Sequence, residues 1–208
     1  MTTRIDVDEV LADRRLLAHP FYRRWEAGAL GEGELASYAA QYAHVERQLP
    51  RTLASLAAAA GPGSTCDAVA ANLADELGCP RSHVELLGQF ADAVGATDAD
   101  ATPATAALVA LYDGATARSV DFALGVVAAY EAQAAEVAST KAEGLRAHYS
   151  VGPQGREFWD VHATMELDHA DWTLGAAALG DREEVLAGMA ASRDAWWGFL
   201  DEREAAAA

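Results

Sequence analysis

The chain has 208 residues and a mass of 21.9 kDa, which is enough for one domain with a full core and no stabilising disulfide or structural metal. Its 32 acidic residues face 14 arginines and a single lysine, Lys141, so the formal net charge is −17. This charge argues against a nucleic-acid or anionic-membrane partner, because both are bound through clustered Lys and Arg. The two cysteines provide neither a disulfide framework nor a zinc ribbon.

No targeting or membrane segment is predicted. No apolar run reaches the roughly 18 residues that a membrane-spanning helix needs. The first ten residues carry acidic side chains where a signal peptide would carry basic and then apolar ones. We therefore expect a cytoplasmic protein.

Glycine and proline breaks divide the chain into helices, and no segment shows the alternating pattern of a strand. Asp6 or Asp8 caps a first helix that ends at Leu17, and Pro20 opens a short second helix. Further helices are predicted over about 34–60, 65–77, 81–94, 103–116, 119–149 and 156–179. The last helix covers about 182–203 and is capped by Asp181. The pattern predicts one all-α domain over 1–208, a bundle of about seven to eight helices with 1–5 and 205–208 frayed.

Two charged residues interrupt the apolar stripe of the helix predicted over 119–149. Glu131 follows Val127 by four residues on this stripe, and Lys141 continues it after Ala138. A buried charge is costly without a partner. Ten residues of helix span about 15 Å, too far for Glu131 and Lys141 to pair with each other. Each therefore needs a partner from another helix.

A second helix carries the spacing of metal ligands. His162, Glu166 and His169 stand at i, i+4 and i+7, on one helical face. A single histidine on such a face is usually structural, but two histidines flanking a glutamate suit iron, manganese or zinc. The triplet also contains the Glu-x-x-His step of di-iron bundles.

A third segment adds a carboxylate and an imidazole. Glu76 follows Val69 and Leu73 on their stripe, and His83 lies seven residues further on. Three segments thus offer one candidate cluster for two iron-class ions: Glu76, His83, Glu131, His162, Glu166 and His169. Because the Glu-x-x-His step occurs only once, the site should lack the twofold symmetry of ferritin-like centres.

These motifs resemble a known family. The segments HPFYRRWEAGAL and LASYAAQYAHVERQLPRTLASL resemble the opening helices of the haem-oxygenase-like di-iron oxidases, relatives of the thiaminase and PQQ-synthesis C fold. The Glu-x6-His, lone Glu and His-x3-Glu-x2-His pattern matches the two-metal site of that family at all six positions, with Glu166 where many members have Asp. The similarity is greatest to the p-aminobenzoate-synthesising branch, which includes the Chlamydia protein associating with death domains, over about residues 10–200.

The resemblance implies a function and further site residues. The tyrosine that this branch consumes matches Tyr22, its functional lysine matches Lys141, and two further tyrosines match Tyr42 and Tyr130; Ala43 replaces a tyrosine next to Tyr42. The family would hold two metal ions, Fe/Fe or Fe/Mn, and use O2 and an external reductant. The protein would make p-aminobenzoate for folate-type cofactors from its own tyrosine side chain, with the lysine as amino donor. A homodimer is the default for this fold.

Three other functions compete with this interpretation. One is an oxygenase of the same fold with an external amino-acid or fatty-acid substrate, which would use the metal ligands but not consume Tyr22. Another is a thiaminase-type hydrolase, which needs a nucleophilic cysteine in the pocket, whereas Cys66 and Cys79 stand at a helix start and a break. The third is a metal-free binding protein, in which buried ion pairs alone would have to account for the six clustered residues. Buried ion pairs contribute little to stability, so they are a weak explanation.

Overall fold

The computed structural model describes residues 7–78 and 81–206, without the side chains of residues 8, 13 and 165–168. Within these ranges the chain forms nine α-helices and two short 3-10 helices, with no strand. The α-helices are α1 (Val7–Leu11), α2 (Pro20–Glu26), α3 (Glu32–Ala60), α4 (Ser64–Leu77), α5 (His83–Ala93), α6 (Pro103–Arg118), α7 (Val120–His148), α8 (Pro153–Ala177) and α9 (Arg182–Ala205). The all-α prediction is confirmed for the described residues, but the predicted number of seven to eight helices is wrong.

Each of the nine α-helices overlaps one of the nine predicted segments, so the estimate of seven to eight was too low, and the helix boundaries differ most near the N-terminus. The helix expected to reach Leu17 stops at Leu11 and is followed by 3-10 helices over Ala12–Arg14 and Leu16–Ala18. Arg15 between them is extended, and the backbone N–H of Leu16 donates to Oε1 of Gln133 on α7 at 2.9 Å. A hydrogen bond to a distant helix therefore replaces the local helical one. Of the ends expected to fray, 1–5 and 205–208, residues 1–5 and 207–208 lie outside the described residues, whereas Ala205 still belongs to α9.

Side-chain caps fix several helix starts, and one of them positions a candidate ligand. Asp181 caps α9 as predicted, with its carboxylate accepting from the N–H groups of Glu183 and Glu184. Ser82 caps α5 in a capping box with Glu85, each side chain bonded to the backbone N–H of the other. Because the cap is Ser82, His83 is the first residue of α5.

Helix α7 runs through the interior and packs chiefly against α8 and α9. It also contacts α2, α3 and α6, and both Glu131 and Lys141 are buried on it. The long helix α3 packs against α4, α5 and α6 and continues through Pro50. No helix of the described residues is long and apolar enough to span a bilayer.

Two glycines allow α7 and α9 to approach closely. A Cβ atom at Gly125 of α7 would lie 2.1 Å from the carbonyl oxygen of Val185, and one at Gly188 of α9 would lie 2.1 Å from that of Phe122. Both oxygens are backbone atoms, so neither can move aside by a side-chain rotation. The contact between these two helices therefore depends on the absence of a side chain at both positions.

We expect Gly188→Ala to lower the free energy of unfolding by about 1–3 kcal/mol or more, since two helix backbones must separate. Gly198→Ala is a matched control on the same helix, because a Cβ there meets nothing within 4 Å. That control should be neutral or stabilising by up to about 1 kcal/mol, the usual gain of alanine over glycine in a helix. Urea unfolding measures both, and equal effects of the two substitutions would contradict the close approach.

Candidate functional site

Two groups of buried polar side chains meet beside α7. The carboxylate–histidine cluster comprises Glu46, Glu76, His83, Glu131, His162 and His169, and the lysine–tyrosine cluster comprises Tyr22, Tyr38, Tyr42, Tyr130 and Lys141. Each residue of both clusters except Tyr130, which is partly buried, has at most 6% of its surface exposed. So many polar groups in one apolar interior indicate a chemical site rather than a packing core.

In the carboxylate–histidine cluster, His83 is the common neighbour. Its Nδ1 lies 3.0 Å from Oε2 of Glu76, across the break between α4 and α5. Its ring centre is 4.2 Å from that of His162 and 6.5 Å from that of His169. The structure thus places Glu76 and His83 next to His162 and within reach of His169, residues from two of the predicted segments. The backbone of Glu166 lies in α8 between the two histidines, but its side chain is outside the described part.

Glu131 obtains the partners from other helices that its burial requires. Nδ2 of Asn72 on α4 donates to Oε1 at 2.5 Å, and the hydroxyl of Thr173 on α8 donates to Oε2. Both contacts stabilise the ionised carboxylate and fix its orientation. Neither Asn72 nor Thr173 was predicted from the sequence, although Thr173 extends the face of His162 and His169 by one turn.

The protonation of His162 suits a metal ligand. Its Nδ1 is 2.7 Å from the carbonyl oxygen of Phe158, and because a carbonyl only accepts, Nδ1 carries the hydrogen. The other ring nitrogen, Nε2, is then the one that can bind a metal ion. Burial, followed by the neighbouring His83, lowers the pKa of His162 well below its usual value, so the ring is neutral at pH 7.

Glu46 is a cluster member that the sequence analysis missed. It lies on α3 and is 4% exposed. One carboxylate oxygen of Glu46, one nitrogen of His83 and one of His162 all lie within 4.8 Å of one another, which is compatible with a common metal ion. Its position on the stripe of Tyr38 and Tyr42 could have revealed it, because the three stand at i, i+4 and i+8.

The donor set fits divalent first-row metal ions. It consists of carboxylate oxygens and imidazole nitrogens, which suit iron and manganese. Glu46, Glu76 and Glu131 are each at most 4% exposed. Three carboxylates buried so closely together would be unfavourable without compensating positive charge.

Lys141 lies in the second cluster, in a cage of aromatic rings. It is 1% exposed, and its Nζ donates to the hydroxyl of Tyr38 at 2.6 Å. The same Nζ lies 4.0 Å from the ring centre of Trp159 and 4.7 Å from that of Tyr22. Burial lowers the pKa of Lys141 well below its usual value, against the opposing charge of Glu46. The side chain is therefore held toward its neutral, nucleophilic amine form.

Tyr38, which the sequence analysis did not select, connects the other members of this cluster. Its hydroxyl is 2.9 Å from that of Tyr22, in addition to its bond with Lys141. Tyr38 also stacks on Tyr42, whose hydroxyl lies 2.7 Å from that of Tyr130. Burial raises the pKa values of Tyr22, Tyr38 and Tyr42, so all three remain protonated phenols at neutral pH.

A small cavity joins the two clusters. It is lined by Tyr42, Glu46, Tyr130, Glu131 and His162, together with apolar residues and Trp196. The space open to the centre of a water molecule is about 20 Å³. That volume accommodates about one water-sized molecule. Of the two cysteines, Cys66 lies in the first turn of α4 and lines no part of this cavity, while Cys79 is outside the described residues.

Comparison with known proteins places these features in one family. A family model described as iron-containing redox enzyme, of haem-oxygenase type, matches residues 36–197. The 4-aminobenzoate synthase of Nitrosomonas europaea is 33% identical over 221 residues, which cover 96% of this chain and 90% of that protein. The 4-aminobenzoate synthase of Chlamydia pneumoniae is 27% identical, with 96% and 94% covered.

Solved structures share the fold. A CADD-like protein of unknown function from Nostoc punctiforme superposes with a TM-score of 0.77 at 18% identity, covering 96% of this chain and 94% of the other. A domain of unknown function with a heme oxygenase-like fold from Shewanella denitrificans has a TM-score of 0.76 at 17% identity, covering 96% and 88%. The haem-oxygenase-like architecture expected from the sequence is confirmed.

Proposed function

The chain belongs to the haem-oxygenase-like family of iron-containing redox enzymes, and from this premise we propose that it is a 4-aminobenzoate synthase that consumes its own tyrosine. Two relatives carry the name 4-aminobenzoate synthase and align over nearly the whole chain. The single observation that carries the proposal is the buried contact of Lys141, Tyr38 and Tyr22 beside a cluster of metal-ligand residues.

Glu76, His83, Glu131, His162, Glu166 and His169 would hold two metal ions, iron with iron or iron with manganese. These ions would supply the activation of O2, with electrons from an external reductant. The chain's own contribution is to keep His162 neutral with Nε2 available, and to orient Glu131 through Asn72 and Thr173.

The composition of the product matches the side chain of Tyr22. p-Aminobenzoate is a benzene ring bearing one carboxylate carbon and an amino group, and the tyrosine side chain is a benzene ring bearing Cβ and a hydroxyl. Breaking the Cα–Cβ bond and oxidising Cβ gives the carboxylate, with O2 as the oxidant. The nitrogen of Lys141 would take the place of the phenolic oxygen, which leaves as water. A two-electron oxidation at Cε of Lys141, again with O2 as the oxidant, followed by hydrolysis would break the Nζ–Cε bond, releasing the amine and leaving an aldehyde on the chain.

The geometry supports this exchange at the phenolic end of Tyr22. One hydroxyl, that of Tyr38, lies within hydrogen-bond distance of both the Lys141 amine and the Tyr22 hydroxyl. The lowered pKa of Lys141 keeps a lone pair on the attacking nitrogen, and the aromatic cage excludes water from it.

An oxygenase with an external substrate is the second candidate, and it would need more space than the cavity between the two clusters offers. A space of about 20 Å³ has room for a water-sized molecule but not for an amino acid or a fatty acid. A substrate that is already part of the chain needs no such room.

The test is reconstitution of the purified protein with Fe(II), or Fe(II) and Mn(II), a reductant and O2. We expect p-aminobenzoate to accumulate to no more than one molecule per chain, and none without metal or O2. Chromatography with mass detection measures the yield. Repeated turnover of an added amino acid or fatty acid, with the chain unchanged, would contradict the proposal and favour the second candidate.

A further inference from the structure

We propose that Glu46 is a seventh protein ligand, which binds the same metal ion as His83 and His162. This inference rests on the metal centre of the proposed function and extends it to a fifth helix, α3. The six predicted ligands come from α4, α5, α7 and α8.

The first support is geometric. The ligand atoms of Glu46, His83 and His162 lie within 4.8 Å of one another, and all three residues are buried. Atoms that bind one ion at about 2.0–2.2 Å can be at most about twice that distance apart. The observed spacing is therefore close to a coordination sphere and needs only small side-chain movements to reach it.

The second support is the position of Glu46 in the cavity. The side chain lines the same small cavity as Glu131 and His162. It faces the cluster from α3, four residues after Tyr42, so one helical face presents both a tyrosine of the lysine–tyrosine cluster and this carboxylate.

The third support is charge. The carboxylates of Glu76, Glu131 and Glu166 carry three negative charges against the four positive charges of two divalent ions. Among the carboxylates counted as ligands, that of Glu46 brings the negative charges to four, equal to the charge of the two ions. A neutral assembly is the arrangement that a buried, water-poor site favours.

The test is metal binding, measured on the full chain without turnover. Glu46→Gln keeps the size and hydrogen-bonding capacity of the side chain but removes its charge and most of its affinity for metal. We expect the wild type to bind two ions per chain, and Glu46→Gln to bind one of them at least about tenfold more weakly. Elemental analysis gives the stoichiometry, competition with a chromophoric chelator gives the affinity, and the absorption bands of the Co(II)-substituted protein report the change in coordination.

Two further variants show whether a change in metal binding comes from loss of the Glu46 carboxylate. Glu34→Gln is the matched control, because it is the same substitution on the same helix but at a partly exposed residue that pairs with Arg24. It should leave metal binding unchanged. Glu46→Asp retains a carboxylate and should recover part of the lost affinity, whereas a role in packing alone would predict no such rescue.

The outcomes separate this inference from the proposed function. If the wild type binds two ions and Glu46→Gln binds them with equal affinity and an unchanged Co(II) spectrum, Glu46 is not a ligand and only this inference fails. If the wild type binds no metal, both fail. If Glu46→Gln weakens metal binding but the wild type forms no p-aminobenzoate, Glu46 is a ligand and only the proposed function fails.

Discussion

Replacing Lys141 with methionine should abolish p-aminobenzoate formation while leaving the chain folded and able to bind metal. Methionine has a similar length and is apolar, so it can occupy the cage formed by Tyr22, Tyr42 and Trp159. It has no amine to transfer, and the yield should fall to below about one hundredth of the wild-type value, as expected for loss of a reacting group. Lys141→Arg should be equally inactive but less stable, because a guanidinium keeps its charge when buried.

The substitution also predicts an effect of pH on stability. The pKa of Lys141 is lowered in the folded chain, so between that value and the unfolded value of 10.5 the unfolded chain binds a proton that the folded chain does not. Stability therefore rises with pH across this window. The destabilisation by the buried charge of Lys141 is largest below the window and decreases through it. The metal-free Lys141→Met variant should unfold at a higher temperature than the wild type at pH 7, and the difference should shrink toward pH 10.

Isotope labelling gives an independent measurement of the same claim. Lys141 is the single lysine of the chain, so growth on lysine labelled with 15N at Nζ marks one atom of the protein. The p-aminobenzoate released by labelled protein should carry 15N. Unlabelled product from labelled protein, or wild-type yield from Lys141→Met, would remove the amino-donor role.

The sequence predicted the helices well where local signals decide them. Asp181 and the glycine and proline breaks place the predicted ends of most α-helices within a few residues of the observed ones. The exception is the segment that ends at Leu17, where the backbone N–H of Leu16 donates to the side chain of Gln133, more than a hundred residues away. No local pattern records such a hydrogen bond, which explains why the first helix was predicted too long.

The sequence identified those site residues that are charged and lie on the apolar stripe of a helix. The argument that Glu131 and Lys141 each need a partner on another helix was correct, as their contacts with Asn72, Thr173 and Tyr38 show. The partners themselves could not be predicted, because they depend on which helix faces α7 at each level. Uncharged polar residues such as Asn72 are also too common in helices to stand out.

Glu46 shows a different limit. It interrupts the stripe of α3 formed by Tyr38, Tyr42 and Leu49 in the same way that Glu131 interrupts that of α7. The test that selected Glu131 would have selected Glu46. Glu46 is not among the six positions of the family pattern and stands out only on this chain's own apolar stripe.

Both clusters lower the stability of the fold. The tyrosines and Lys141 lose hydration when buried, and their hydroxyl and amine groups replace water with a few hydrogen bonds to one another. The carboxylate–histidine cluster concentrates negative charge a few ångströms away. A fold stabilised for packing alone would have apolar residues in both places, so the arrangement is consistent with selection for chemistry at the expense of stability.

Tyr22 should lose its side chain in a single reaction, and Tyr22→Phe should yield no p-aminobenzoate. The ring of phenylalanine fits the same space, and the variant should fold because it removes only the hydroxyl that faces Tyr38. Without the phenolic oxygen there is no group at that ring carbon for the nitrogen of Lys141 to replace. We expect the yield to fall to below about one hundredth of the wild-type value, with metal binding unchanged.

Peptide mapping separates consumption of Tyr22 from a positioning role. After one reaction of the wild type with O2, the peptide containing Tyr22 should have lost the mass of the tyrosine side chain, in the same molar amount as the p-aminobenzoate released. A second addition of reductant and O2 should give no more product, because the substrate is gone. Tyr149→Phe is the control: its hydroxyl accepts from the backbone N–H of Leu30, outside both clusters, and its removal should leave the yield unchanged. An intact Tyr22 peptide in protein that has released product would show that the ring comes from elsewhere, because an atom cannot be both in the product and still in the chain.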